Sequence, residues 1–223
     1  MKRLLIACET IRDEVEMALQ RTNAKLEIVW MSNLLHDSPE RLKKALQEEI
    51  DKAEEGYDQL LFAYGNCGNG LLGLKSEKAT LIIPRYGDCI DILLSEKENL
   101  ERIRTSTYFL TQGWLKGEKS LDKEFQHNLE KYGEKRARRV MEIMFKNYQK
   151  LMLIDTGAYP VADHLPRVND IGELIGLEVV VDQGSISPLE KLVTGEWTED
   201  FCIIPPGQVT AHHDFDGVAV RKV

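Results

Sequence analysis

The sequence has no CxxC pair, no apolar run of membrane length and no excess of basic charge, and each absence removes a class of protein. Its four cysteines, Cys8, Cys67, Cys89 and Cys202, stand singly along 223 residues. Neither a disulfide framework nor a paired-cysteine metal motif is written into that spacing. No secretory signal is evident, and the apolar stretch 4–8 is far too short to cross a bilayer. The expectation is therefore a cytoplasmic, reducing setting with no membrane partner. A net charge of −8 argues against nucleic acid as a partner, because nucleic acid is held mainly by Lys and Arg neutralising phosphate. The one basic run, EKRARR at 134–139, lies on a helical pattern among acidic residues and reads as a solvated helix face. Internal repeats, low-complexity tracts and Pro/Ser-rich linkers are also missing.

What is present is an alternation of short apolar runs with helical patterns. Runs at 3–8 (RLLIAC), 25–31 (KLEIVWM), 59–64 and 79–84 (ATLIIP) read as buried strands. Helical stretches separate them, one from 38 to 55 opened by Ser38 and Pro39 as N-cap and first-turn residue, another from 89 to 103. A shorter strand is expected at 107–110, then a long charged helix over roughly 121–150 with apolar residues at helical spacing. The pattern restarts with strands at 151–155, 178–181 and 201–204 and helices at 162–175 and 188–194. This is α/β architecture with mainly parallel sheets. It predicts two Rossmann-like halves, residues 1–116 and 151–223, joined by a long helix over 117–150.

In open parallel sheets ligands bind beyond the carboxyl ends of the strands, and the unusual chemistry of this sequence collects there. Those ends carry Cys8-Glu9-Thr10, the glycine-rich YGNCGNG at 64–70, Arg85-Tyr86-Gly87-Asp88-Cys89 and Thr111-Gln112-Gly113-Trp114. Gly65, Gly68 and Gly70 free the backbone for positive φ and for close approach, and Asn66 and Asn69 tolerate left-handed conformations. Cys202 lies instead inside an apolar run, where a free cysteine behaves as a small hydrophobe.

Together AYGNCGNG, PRYGDCIDILL, YFLTQGWL, KYGEKRA, LMLIDTG and FCIIPPGQ resemble an uncharacterised bacterial and archaeal family, a domain of unknown function whose members look like neighbours of corrinoid-dependent methyltransferase systems. The resemblance spans nearly the whole chain. It implies a setting in one-carbon or methyl-group metabolism, with a corrinoid or methyltransferase protein as partner, and supplies no catalytic residues. The DxHxxG mark of a base-off corrinoid domain is absent, so a corrinoid enters by association only.

Three readings of the side chains follow. A metal site on Cys8, Cys67 and Cys89 suits zinc with an open position or an iron–sulfur unit, with Asp88, Glu9, His212 or His213 as further candidates. A cysteine acid–base pair, as in aspartate and glutamate racemases to which the chain is loosely similar, needs a partner from the second half, where Cys202 is the one thiol. A binding module without catalysis places a small anionic ligand on the amides of Gly65, Asn66 and Gly68, with Arg85 and Asp88 beside it and Gln112 and Trp114 walling the pocket. His164 in DHLP reads as part of a helix start, with Asp163 capping.

Overall fold

A computed structural model describes residues 1–215, apart from the side chains of residues 36 and 37. In chain order its elements are β1 (Arg3–Cys8), α1 (Arg12–Thr22), β2 (Glu27–Met31), α2 (Pro39–Ala53), β3 (Gln59–Ala63), β4 (Thr80–Pro84), α3 (Cys89–Leu93), α4 (Leu100–Arg104), β5 (Thr107–Leu110), α5 (Gln112–Lys116), α6 (Leu121–Tyr132), α7 (Glu134–Phe145), β6 (Lys150–Asp155), α8 (Val161–Ile175), β7 (Glu178–Gln183), α9 (Ser187–Thr194), β8 (Phe201–Ile204) and α10 (His212–Phe215). The fold is α/β with mostly parallel sheets. No helix among the described residues is long and apolar enough to cross a membrane.

The chain divides into two compact units, one made of Met1–Ser95 with Ser185–Val223, the other of Glu96–Gly184. This boundary differs from the one the sequence predicts, for a reason no local pattern carries. Strand β8, from the carboxyl-terminal third, pairs antiparallel with β4, Ile83 opposite Cys202. Strand β5, from the first half of the chain, pairs parallel with β6. The expected helix over 117–150 is also two helices. Gly133 takes φ 77, donating its N–H to the Leu129 carbonyl to close α6 while its own carbonyl accepts from Ala137 to open α7. A positive φ is natural only for glycine here, and it turns the chain.

The first unit holds a five-stranded sheet ordered β2-β1-β3-β4-β8. Its inner parallel strands β1, β3 and β4 are largely buried, every residue of β3 among them, as the near-continuous apolar runs demand. Right-handed crossovers leaving β1 and β2 in opposite directions put α1 and α2 on opposite faces. Ser38 caps α2 by accepting from the Arg41 N–H, and Pro39 opens it. That helix buries Leu42, Leu46 and Ile50, a stripe at four-residue spacing in which a Leu→Ala truncation costs on the order of 2–5 kcal/mol.

The second unit is a parallel sheet ordered β5-β6-β7. Both crossovers step the same way across it, so their helices share a face. Phe125, Met141, Phe145, Val168 and Ile171 pack there on Leu151 and Leu153 of β6. Arg167 of α8 clamps Asp122 of α6 through two hydrogen bonds of 2.9 and 2.8 Å. Partial burial pushes the Asp122 carboxyl up, but the hydrogen bonds and charge of Arg167, helped by Ser120, overcome it and hold the group at about 2.

Candidate thiol site

Strands β1, β3 and β4 are neighbours running the same way, roughly 4.8 Å apart. Each hands the chain into a turn at the same sheet edge, and each turn carries one cysteine. Cys8 ends β1 and is buried. Its sulfur accepts from the Thr10 N–H at 3.4 Å, and the Thr10 and Tyr64 side chains lie close enough to favour its thiolate form. Cys89 opens α3 and is also buried. Cys67 sits between them on the glycine loop and keeps part of its residue surface open to solvent, while its sulfur accepts the backbone N–H of Cys89. The three thiols are close enough to act on one another electrostatically, and Tyr64 feels all three.

The glycines around Cys67 now have distinct duties. A Cβ on Gly65 would stand 2.5 Å from the backbone of Asp88, so the turn after β3 touches the turn after β4. The Asn66 N–H donates to the Tyr86 carbonyl across the same seam, at 2.8 Å. Gly70 lies against Leu42 of α2. Between them, Cys67, Gly68 and Asn69 take positive φ in succession, 26, 64 and 70°. For Cys67 that conformation costs on the order of 1–3 kcal/mol, and such strain gathers at working sites.

Burial pushes all three thiols up from the ordinary cysteine range. For Cys67 the charges of Cys8, Asp88 and Asp91 add to it, and for Cys89 those of Cys67, Cys8, Asp88 and Glu14. For Cys8 burial outweighs the donors from Thr10 and Tyr64. The thiols are therefore protonated at neutral pH, and the charges acting on them are negative. Thiolate nucleophiles need the opposite setting, a positive and partly open one. As the side chains stand, no group of three or more His, Cys, Asp or Glu among the described residues is placed to hold a metal ion.

The remaining predicted site residues go elsewhere. Asp88 caps α3, its Oδ1 accepting the Asp91 N–H at 3.0 Å. Asn66 braces its own loop through Asn69 and Leu71. Arg85 turns to β8, its Nε donating to the Phe201 carbonyl at 3.2 Å, with its charge beside Cys202. Gln112 and Trp114 belong to the second unit, where Gln112 meets His164 at 2.6 Å and Trp114 packs on the core. His212 and His213 are exposed on α10. Cys202 is more than core filling: its thiol donates to the Asp214 carbonyl at 2.7 Å, and burial pushes it up to about 12. Since β8 belongs to the first unit and residues 96–184 contain no cysteine, a thiol pair drawn from two units has no second member.

Two residues beside these thiols carry little signal in the sequence. Tyr64 looks like a strand residue, and Glu14 like one more acidic position on α1, yet Glu14 is fully buried and within reach of Cys89. A carboxylate at a helix position facing a strand end was the one available hint.

The profile of a family described as "Protein of unknown function (DUF1638)" matches residues 30–193. No curated protein and no solved structure matches the chain.

Proposed function

We propose, for a chain that belongs to the DUF1638 family and so to a family of unknown function, that it is a binding protein for a thiophilic metal or metalloid, taken up by Cys8, Cys67 and Cys89. The observation that carries this reading is that three adjacent parallel strands each end on a turn bearing one thiol, and that the turns after β3 and β4 touch through Gly65 and Asp88. Zinc and iron–sulfur units are among the classes that thiolate ligands suit. Capture displaces the thiol protons and turns the side chains inward on the ligand. A setting in corrinoid-linked methyl metabolism rests on the family resemblance alone.

Anaerobically purified, reduced protein titrated with cadmium, read by the absorbance of thiolate–metal bonds, is expected to take one ion per chain. Cys67→Ser loses that uptake. Cys202→Ala keeps it, because its sulfur serves the Asp214 carbonyl, and costs only the packing and tethering of α10. Equal uptake by wild type and Cys67→Ser sinks the reading.

A further inference from the structure

Resting on that reading, we infer that the thiol cluster at these strand ends takes a trivalent thiophile of the arsenite or antimonite class, bound by the three sulfurs of Cys8, Cys67 and Cys89, in preference to a divalent cation. The donor set comes first. Three neighbouring carboxylates are already committed: Asp88 to the Asp91 N–H, Asp91 to the Gly87 N–H at 3.1 Å, and Glu9 to Arg12 at 3.2 Å. The described histidines of this unit, His212 and His213, are exposed on α10. Three sulfurs suit an atom that makes three bonds and carries a lone pair, whereas a structural zinc site wants four ligands, and the buried Glu14 beside Cys89 would bring a further negative charge to that fourth position.

Charge decides the same way. A divalent ion held by three thiolates carries one net negative charge. The charged groups that act most strongly on these sulfurs are Glu9 on Cys8, Asp88 and Asp91 on Cys67, and Asp88 and Glu14 on Cys89. Arg12, beside Glu9, is divided between Glu9, Glu16 and the face of Trp30. Burying net negative charge in that company is costly. Arsenous acid avoids it. Three As–O bonds break, three As–S bonds form, and each thiol proton leaves with a hydroxide as water. Nothing is oxidised or reduced, and the adduct is neutral. Entry runs through Cys67, the partly exposed thiol residue of the three.

The test uses the full reduced chain and arsenite itself, read by native mass spectrometry and by counting alkylatable thiols. One arsenic per chain with the loss of three hydrogens is expected, with three thiols protected and Cys202 still alkylated after denaturation. Arsenite affinity should be the same at pH 6 and pH 8, because no net proton is released. Cadmium affinity should rise about tenfold per pH unit for each proton displaced. Cys8→Ser, Cys67→Ser and Cys89→Ser should each weaken arsenite about a hundredfold by removing one arm of the chelate. Cadmium protecting the thiols while arsenite leaves them open overturns this inference and spares the metal reading. Protection by neither overturns both. The wild-type mass and thiol count decide the question even where a serine variant fails to fold.

Discussion

Moving ligand-free, reduced protein from pH 9 to pH 10 is expected to remove about 3 kcal/mol of folding stability. Cys67, Cys89 and Cys202 all sit far above their usual range because burial disfavours the thiolate. In the unfolded chain they ionise near 9, so above that pH the unfolded state binds fewer protons than the folded one and stability falls. Below 9 both states keep their protons and the contribution is constant. Cys8 shifts in the same direction, and Tyr64 extends the decline above its usual value of 10. Against a typical total of 5–15 kcal/mol this is a large fraction. Urea unfolding at pH 8, 9 and 10 measures it. Cys202→Ala should lower the slope by about a quarter, since one of four contributing thiols is gone. A bound thiophile should reduce it to the share of Cys202 and Tyr64, because the captured sulfurs no longer titrate. Stability unchanged across this range would mean that the thiols are not buried as described.

The parts of the fold that follow from residues close in sequence were legible; the parts that depend on distant pairing were not. Apolar runs marked the strands, and Ser38-Pro39 marked the start of α2. The unit boundaries were missed because they depend on β8 pairing with β4, some 120 residues back along the chain, a choice that hydrophobic pattern alone does not make. Gly133 breaks the long helix with no proline or loop composition to announce it. At the site, the parallel-sheet rule that ligands gather at strand carboxyl ends brought Cys8, Cys67 and Cys89 to one edge. Composition invited Asp88, Asn66 and Arg85 to be read as ligand groups, because polar residues beside glycine serve caps and loop braces as readily as ligands. The backbone N–H groups they satisfy become visible only once the turns are built.

Gly65→Ala is expected to destabilise the protein by roughly 3 kcal/mol and to abolish uptake at the thiols. The added methyl would lie 2.5 Å from Asp88 Cα and C and 2.6 Å from its carbonyl oxygen, distances that rotation of a side chain cannot relieve, because every obstacle is backbone. One turn must move. If the turn after β3 lifts, it draws Asn66 off the Tyr86 carbonyl and Cys67 off the Cys89 N–H, parting two of the three sulfurs. Gly68→Ala provides the contrast. There the penalty is a left-handed φ of 64° with the Pro39 ring at 3.2 Å, about 1–2 kcal/mol, and the seam between the turns stays closed. Chemical denaturation ranks the two variants, and cadmium capacity separates them. Gly65→Ala as stable as wild type, or holding cadmium as well, would show that the two turns do not meet at Gly65. The contact that brings Cys67 to Cys89 would then lie elsewhere.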